Sequence, residues 1–307
     1  MVRIYEKAFF GDALTSIENA HVSVASSAVL YGLSVYTVFP VCVSSKKTRV
    51  AFRLKEHYRR LINSARIIGI DTFEKEWSEE RFVGIVKELV AANDPREDVF
   101  IRATVHVSEL LPGTRSRGQK TVFSAIMYEA APILPKSGAR VKTSAWRRTP
   151  DTAIPSRAKV NGAYVNSVLG KQDALDSGYD DCIFLDLNGH VCELSAANIF
   201  LVRDGILSTP DIASDILEGI TRKTILELAA AMNIPTEERR IDLTELYIAD
   251  ELFACGTSAY ITPILEIDAR SIEKGNAGLI TKQLQTRYTD VLHDKDAEFG
   301  HLLTIVG

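Results

Sequence analysis

Residues 151–164, DTAIPSRAKVNGAY, set a single lysine, Lys159, between a proline-stiffened segment and a helix-like run. The stiff segment is Ile154-Pro155, Gly162 follows the lysine, and the run continues as AYVNSVLGKQDAL. A lysine at such a junction suits an amine that points into a cleft and reacts with a carbonyl cofactor. Most lysines are solvated surface groups, so the catalytic interpretation depends on partners elsewhere in the chain.

Composition narrows the class of protein. The chain has 307 residues, 46% hydrophobic and 25% charged, which is typical of a globular protein with one large or two moderate domains. The net charge of −4, without a long basic run, argues against nucleic acid or an anionic membrane surface as a partner. The first residues carry charges early, and no run is long enough to span a bilayer, so neither a signal peptide nor a membrane protein is expected.

The cysteines and histidines predict neither disulfides nor a metal site. Four cysteines lie far apart without a CxxC pair, at Cys42, Cys182, Cys192 and Cys255. They are interpreted as reduced core residues of a cytoplasmic protein. The six histidines are scattered, with no HxH or HExxH motif, so no metal ligand set is predicted.

Hydrophobic periodicity predicts an α/β fold in two domains. In the first part, strands are predicted at 2–10, 21–24, 35–43, 49–53, 99–107 and 121–128, and helices at 56–70 and 78–92. Residues 131–138, APILPKSG, contain two prolines and a glycine. We interpret this stretch as a linker between a smaller N-terminal domain, 1–130, and a larger domain, 139–307.

Two turn pairs predict β-hairpins in the second domain. Asn188-Gly189 separates CIFLDL from HVCEL, and Asp204-Gly205 separates NIFLVR from ILS. Both pairs tolerate the positive φ angles of a type I′ turn. The first hairpin sets Glu193 in an apolar strand, where a carboxylate needs a partner such as a protonated pyridine nitrogen, although a surface charge is the default for glutamate.

Two segments have the composition of a phosphate site. Gly219-Ile220-Thr221 offers N–H groups and a hydroxyl at a predicted helix N-terminus, and Gly256-Thr257-Ser258 offers small residues after a strand. Each could also be an ordinary cap or turn. Neither a GxxxxGK[ST] nor a GxGxxG motif is present, so one phosphate on a small cofactor fits better than a triphosphate or a dinucleotide.

Taken in order, these segments resemble the fold-type IV pyridoxal-phosphate enzymes, most closely the branched-chain amino-acid aminotransferases. The resemblance spans nearly the whole chain, and it implies a two-domain α/β enzyme with the cofactor between a smaller N-terminal and a larger C-terminal domain. The matching stretches are LYGLSVY (30–36), FRLKEHYRRLINSA (52–65), FIRA (100–103), WRRTPDTAIPSRAKVNGAYVNS (146–167), GYDDCIFLDLNGHVCE (178–193), NIFLVRDGILSTP (198–210), GITRKTILELA (219–229) and LYIADELFACGTSAYITPI (246–264).

The resemblance implies roles around pyridoxal 5′-phosphate. Lys159 is the Schiff-base lysine that also moves the α-proton, Glu193 pairs with the pyridine nitrogen, and Tyr164 lies near the ring oxygen. The phosphate ligands implied are Arg60, Thr257 and the N–H groups of Ile220 and Thr221.

It also implies residues on the substrate side. The turn at Ser258 and Ala259 resembles one that receives a substrate carboxylate. Tyr31 resembles a residue that reaches the pocket of a neighbouring subunit, which implies at least a homodimer.

Departures from the family pattern concern the substrate. The family usually has a phenylalanine and Glu-Gly-Ile-Arg where this chain has Tyr36-Thr37-Val38-Phe39-Pro40. A tyrosine usual before the strand arginine is Phe100, while Arg102 remains. The loop LPGTRSRG offers Arg115 and Arg117, and the stretch after Glu193 leans toward the D-amino-acid aminotransferases. We therefore expect an intact cofactor site and an altered substrate pocket.

The sequence thus predicts a transaminase that moves an amino group from a branched-chain L-amino acid or L-glutamate to a 2-oxo acid by a ping-pong mechanism. The alternatives are a transaminase for D-amino acids or (R)-primary amines, a lyase of the aminodeoxychorismate type, and a non-catalytic cofactor-binding homologue. The non-catalytic homologue is disfavoured because Lys159, Glu193 and both phosphate segments are present. The lyase is disfavoured because the stretches TAIPSRAKVNGAY and ADELFACGTSAYITP match the aminotransferases closely.

Overall fold

The computed structural model describes residues 2–307, which form two compact units. Unit 1 comprises the chain up to residue 131, residues 158–162 and residues 290–307. Unit 2 comprises residues 132–157 and 163–289. The sequence predicts an N-terminal domain at 1–130, a linker at 131–138 and a C-terminal domain at 139–307. This division into domains stays a prediction. The units differ from it in that unit 1 includes the Lys159 segment and the C-terminal residues.

Strands and helices are both present along the whole chain, in agreement with the predicted α/β class. The strands are β1 (Lys7–Phe10), β2 (Ala13–Ser16), β3 (Ser34–Val43), β4 (Arg49–Phe52), β5 (Val99–Val107), β6 (Thr121–Glu129), β7 (Ala139–Arg147), β8 (Asp181–Leu185), β9 (Val191–Leu194), β10 (Asn198–Arg203), β11 (Ile206–Pro210), β12 (Thr236–Arg239), β13 (Glu251–Gly256), β14 (Tyr260–Ile267), β15 (Arg270–Ser271) and β16 (Leu303–Ile305). The helices are α1 (Ser27–Leu30), α2 (Leu54–Ile67), α3 (Phe73–Glu76), α4 (Glu79–Asn93), α5 (Tyr164–Asp176), α6 (Ile220–Ala231), α7 (Leu243–Leu246) and α8 (Leu279–Leu292).

Unit 1 is built on an antiparallel sheet in the order β16-β4-β3-β5-β6-β1-β2. One face of β3 packs on helices α2 and α4, where Phe39 contacts the rings of His57 and Phe82. Trp77 and Phe123 pack together beside this face, with ring centroids 4.5 Å apart. Burial of these aromatic side chains fixes the sheet against the helices, one of which carries Arg60 and His57.

Unit 2 contains a mixed sheet in the order β12-β11-β10-β13-β14-β7-β8-β9, with β15 paired to β14. The pairs β11–β12, β14–β7 and β7–β8 are parallel, and the others in this order are antiparallel. A core of aliphatic side chains lies on this sheet and includes Val141, Ile183, Ile199 and Leu252. This core holds the strands that carry Glu193 and lead into the turn at Thr257.

Two local predictions are wrong. Residues 21–24 form no strand, because Val24 is 80% exposed and the alternating pattern of this segment meets no sheet edge. The hairpin between β8 and β9 forms, but its turn is not type I′, since Gly189 has a φ of 93° while Asn188 stays at negative φ. The carboxylate of Asp186 accepts the N–H groups of Asn188 and His190, each at 2.8 Å, and so sets a different turn.

The other predicted elements are confirmed, with shifts of a few residues at their ends. The first strand is the largest shift, since β1 spans only Lys7–Phe10. Asp204 and Gly205 both have positive φ, 51° and 78°, as the second predicted turn requires. Within residues 2–307, no helix combines the length and the apolar character that crossing a membrane requires.

Candidate active site

Lys159 lies on a short segment that is bound through its backbone to unit 1. Its N–H donates to Ser64 Oγ on α2 at 3.0 Å, and its carbonyl accepts the N–H of Tyr36 on β3, also at 3.0 Å. Gly162 packs directly on Gly32, with a hydrogen bond of 3.3 Å from Gly162 N to Gly32 O. These contacts keep Lys159 half-buried at a fixed place, unlike an ordinary surface lysine.

The amine of Lys159 lies next to an aromatic and a cationic side chain. Its Nζ is 4.9 Å from the ring centroid of Tyr36, and the guanidinium of Arg102 stacks on the same ring at 3.6 Å. Arg102 Nη2 donates to Asn161 Oδ1 at 2.9 Å. The structure therefore brings together Lys159, Tyr36 and Arg102, and adds Asn161, which the sequence had not indicated.

The departures from the family pattern also lie together. In the register of β3 and β5, Val38 is opposite Arg102 and Pro40 is opposite Phe100. Because partners in an antiparallel pair share a face, Tyr36, Val38, Pro40, Phe100 and Arg102 lie on one face of the sheet. Phe100 is fully buried, so the ring that replaces the usual tyrosine is part of the sheet packing.

Arg60 is half-buried and contacts a buried polar pair on the opposite face of β3. Its Nη2 donates to Thr37 Oγ1 at 3.3 Å, and the same hydroxyl lies 2.8 Å from His57 Nδ1. Burial lowers the pKa of His57 well below its usual value, and the positive charges of Arg60, Lys159 and Arg53 lower it further. His57 is therefore a neutral imidazole at physiological pH.

Glu193 on β9 is buried in unit 2 and has several partners. Arg148 Nη2 lies 2.8 Å from its Oε1, and Asn198 Nδ2 donates to its Oε2 at 3.0 Å. The N–H of Leu217 donates to the carboxylate at 3.2 Å. The carboxylate predicted to need a partner is thus held in one orientation by an arginine to which the sequence had assigned no role.

The N-terminus of α6 has no side-chain cap, because its N-cap residue is Gly219. A Cβ at this glycine would lie 2.0 Å from Asn198 Oδ1, so the helix begins in contact with the residue that holds Glu193. Ile220 and Thr221, the first residues of α6, are buried, and Thr221 Oγ1 lies 3.5 Å from the hydroxyl of Tyr288. This is the arrangement expected of an anion site at a helix N-terminus.

The second predicted phosphate segment is a turn between β13 and β14. Thr257 and Ser258 are half-buried, Ala259 is buried, and the carbonyl of Ser258 accepts the N–H of Ile133 at 3.0 Å. Tyr164, at the first position of α5, is half-buried in the same unit. Unit 2 therefore carries Tyr164, Glu193, Ile220, Thr221 and the turn at 257–259.

Two predicted substrate residues are exposed on the surface of unit 1. Tyr31 has 44% of its surface accessible, and Arg115 lies on the exposed loop between β5 and β6. This exposure leaves both side chains accessible to a ligand or to a second copy of the chain. Their predicted roles stay predictions.

A further cluster of ionisable side chains lies in unit 1 away from Lys159. One ligand-type atom from each of Cys42, Asp98 and His293 lies within 4.8 Å of the other two. His293 Nε2 is 2.9 Å from Asp98 Oδ2, and the N–H of Val43 donates to Asp98 Oδ1 at 2.9 Å. The pKa of the Cys42 thiol is raised, first by burial and then by Asp98. These contacts make the cluster a hydrogen-bonded link between β3 and the C-terminal residues.

Known proteins resemble this chain over nearly its full length. The family described as amino-transferase class IV matches residues 35–267. A probable branched-chain-amino-acid aminotransferase of Aquifex aeolicus is 38% identical over 302 residues, which cover 97% of this chain and 96% of that protein.

Solved structures agree. The branched-chain aminotransferase of Thermoproteus uzoniensis with norvaline superposes with a TM-score of 0.94 at 35% identity, covering 99% of this chain and 100% of that one. The branched-chain amino acid aminotransferase of Thermobaculum terrenum in its PLP form gives a TM-score of 0.92 at 32% identity, covering 99% of both chains. The chain therefore belongs to the class IV aminotransferases, the fold-type IV family of pyridoxal-phosphate enzymes.

Proposed function

We propose that this protein transfers an amino group from a branched-chain L-amino acid, or from L-glutamate, to a 2-oxo acid, with pyridoxal phosphate as its cofactor. The observation that carries the proposal is the half-buried Lys159, whose backbone is bonded on both sides to α2 and β3. A reactive amine needs such a fixed position. The names of the curated relatives supply the substrate class.

The residues present fit a cofactor with a ring nitrogen and one phosphate. Glu193 is a buried carboxylate oriented by Arg148 and Asn198, which suits a protonated ring nitrogen. Gly219 leaves the N-terminus of α6 without a side-chain cap, which suits a phosphate. When bound, pyridoxal phosphate supplies a carbonyl that reacts with amines and a ring that withdraws electrons from the substrate Cα.

Each residue has a simple task in this scheme. Lys159 takes the proton from the substrate Cα as a general base and later returns a proton as a general acid, so one amine serves in both roles. Glu193 keeps the ring nitrogen protonated, and Tyr164 donates its hydroxyl toward the ring oxygen. Arg60, Thr257 and the N–H groups of Ile220 and Thr221 bind the phosphate.

The substrate is held by other residues. The backbone at Ser258 and Ala259 receives the α-carboxylate, and Arg102, stacked on Tyr36, provides a cation beside Lys159. The first half-reaction releases a 2-oxo acid before the second one binds, so the two halves share these contacts in a ping-pong cycle.

One observation favours a second candidate, a transaminase with specificity for D-amino acids or (R)-primary amines. Val38 and Pro40 lie opposite Arg102 and Phe100, so the residues that differ from the branched-chain pattern share the sheet face on which Tyr36 lies near Lys159. A donor panel of L-leucine, L-glutamate, D-alanine and (R)-1-phenylethylamine, with 2-oxoglutarate and pyruvate as acceptors, separates the two. Turnover of only D-alanine and (R)-1-phenylethylamine would contradict the branched-chain or L-glutamate specificity.

We also propose a cytoplasmic homodimer. Free, buried thiols at all four cysteines suit a reducing compartment. Val24, Leu30 and Tyr31 are exposed at 80%, 45% and 44%, and the neighbouring Leu111 at 74%, so a second copy has an apolar patch to bury. Sedimentation equilibrium of the purified protein tests the dimer, and a monomer at micromolar concentration would contradict it.

The decisive experiment compares wild type with Lys159→Ala, using Lys136→Ala as an exposed-lysine control. Wild type should have a visible absorption band of bound cofactor that changes when L-leucine or L-glutamate is added. Lys159→Ala should lose turnover by about a thousandfold or more, while Lys136→Ala keeps it. If the visible absorption of the wild-type protein changes with none of the amino donors, the assignment as an enzyme is wrong.

A further inference from the structure

His57 is a buried titratable residue to which the proposed reaction gives no task. It is 1% exposed on α2, and Thr37 on β3 is fully buried. One hydroxyl, Thr37 Oγ1, lies 2.8 Å from His57 Nδ1 and 3.3 Å from Arg60 Nη2. The three side chains therefore form a chain of hydrogen bonds that ends at the guanidinium proposed for the phosphate.

The direction of these bonds follows from the groups themselves. A guanidinium only donates, so Thr37 Oγ1 accepts from Arg60. The single proton of the hydroxyl can then point at His57, which requires an unprotonated Nδ1. A protonated His57 would instead donate to the same oxygen that accepts from Arg60. The chain in this direction needs a neutral imidazole.

The surroundings of His57 favour that neutral form. Burial lowers the pKa of His57 first, and the charges of Arg60, Lys159 and Arg53 act in the same direction. A salt bridge holds Arg53 Nη1 3.1 Å from Glu56 Oε1, so the nearest acid on α2 is already paired with another cation. The imidazole thus stays an acceptor over the physiological pH range.

An arginine side chain is long and flexible, and holding it in one place costs conformational entropy. A hydrogen bond to a buried hydroxyl restricts the guanidinium before the anion arrives, so less of this cost falls on binding. Thr37 is suited to this task because its backbone is fixed in β3, where it lies opposite Ala103 of β5.

We propose that Thr37 and His57 are positioning residues that hold the Arg60 guanidinium ready for the phosphate group of the cofactor. The inference rests on the proposed function, because it takes Arg60 as a phosphate ligand. It assigns to His57 no contact with cofactor or substrate. Its effect should therefore fall on phosphate recognition and not on the reacting amine.

The test measures the dissociation constants of pyridoxal phosphate and of pyridoxal, which lacks the phosphate, by absorbance titration of the cofactor-free protein. Thr37→Val removes the hydroxyl at nearly constant shape, and Thr37→Ser keeps it. Thr37→Val should weaken pyridoxal phosphate binding about tenfold, the effect of one hydrogen bond, and leave pyridoxal binding unchanged. Thr37→Ser should stay within about twofold of wild type.

The second pair of variants addresses His57. Asparagine can offer an amide oxygen near the position of Nδ1, so His57→Asn should bind pyridoxal phosphate better than His57→Leu. If His57→Leu does not fold, the Thr37 pair still decides. The inference is overturned if Thr37→Val weakens the binding of pyridoxal phosphate and of pyridoxal equally, or weakens neither. If wild type binds no pyridoxal phosphate, the proposed function fails instead.

Discussion

Arg148 and Glu193 form an ion pair within unit 2, with 2.8 Å between Nη2 and Oε1 and side-chain exposures of 13% and 6%. Arg148 directly follows β7 on the way to the Lys159 segment, and Glu193 lies on β9. The pair explains why a carboxylate is tolerated in an apolar strand. It also holds that carboxylate in one orientation.

Replacing Arg148 with methionine should therefore damage both stability and catalysis. The change leaves Glu193 buried without its cation, which costs about 3 kcal/mol or more in the free energy of unfolding. Turnover should fall at least about tenfold, because the carboxylate loses its orientation. Chemical denaturation and steady-state kinetics measure the two effects.

The neighbouring Arg147 is the matched control. It is exposed, and its Nη1 donates to the carbonyl of Ser144 at 3.4 Å. Arg147→Met should change stability by no more than about 0.5 kcal/mol. The double variant Arg148→Met with Glu193→Gln should regain part of the lost stability, since it removes both charges. Equal behaviour of the Arg147 and Arg148 variants would refute the role given to the ion pair.

The contact between Gly32 and Gly162 gives a second prediction. A Cβ at Gly32 would lie 2.8 Å from the Cα of Gly162, and Gly32 has a φ of 67°. Gly32→Ala should therefore push the segment that carries Lys159 away from its site. We expect a loss of activity of at least about tenfold, together with destabilisation above the cost of the φ angle alone.

Gly11 separates these two effects. Its φ is 66°, and a Cβ there meets no atom within 4 Å. Gly11→Ala should cost only about 1 kcal/mol of stability and leave turnover intact. Thermal unfolding and kcat of both variants are the measurements. If Gly11→Ala loses as much activity as Gly32→Ala, the close approach at Gly162 is not what holds Lys159.

Much of the fold could be predicted because its signals are local. The period of α2 is visible in Leu61, Ile62 and Ala65, all of which are buried, and Ser78 caps α4 through the N–H of Arg81. The strand predicted at residues 21–24 is wrong because an alternating pattern forms a strand only where a sheet edge is available. That availability is a property of the folded chain and not of the segment.

The site could be predicted only in part. The resemblance to the family named Lys159, Glu193 and the phosphate segments as candidates, because these stretches keep the family's order along the chain. The sequence assigned no task to Arg148, Asn161, Thr37 or His57, because their contacts with the candidate residues join separate segments of the chain. The cluster around Cys42 joins Asp98 and His293, which are 195 residues apart, so no spacing rule could have found it.

The pH dependence of stability should include a contribution from His106 on β5. Burial, assisted by Arg102, lowers the pKa of His106 from 6.5 to about 4. Between these values the unfolded chain binds a proton that the folded one does not, so the free energy of unfolding falls as the pH drops from 6.5 toward 4. The loss attributable to this residue is about 3 kcal/mol in that window.

Urea denaturation at several pH values tests this against His106→Gln, which keeps a polar group near Ser124 but does not titrate. The wild-type imidazole has Nε2 2.9 Å from Ser124 Oγ and Nδ1 3.3 Å from Ser34 Oγ. The variant should lose less stability than wild type between pH 6.5 and about 4. Parallel curves for the two proteins would count against the assigned cause.

The loop between β5 and β6 gives the last prediction. Arg115 and Arg117 are exposed cations there, and Phe100 replaces a tyrosine whose hydroxyl would assist carboxylate binding. We expect one of the two arginines to bind a substrate carboxylate in its place, because a guanidinium matches a carboxylate in geometry and charge. The double variant Arg115→Ala, Arg117→Ala should raise the KM for 2-oxoglutarate about tenfold, with kcat less affected. Lys120→Ala removes an exposed cation of the same loop and should leave this KM unchanged. Kinetics with 2-oxoglutarate and a monocarboxylic 2-oxo acid measure this, and unchanged KM values for both acceptors would remove the loop from the substrate site.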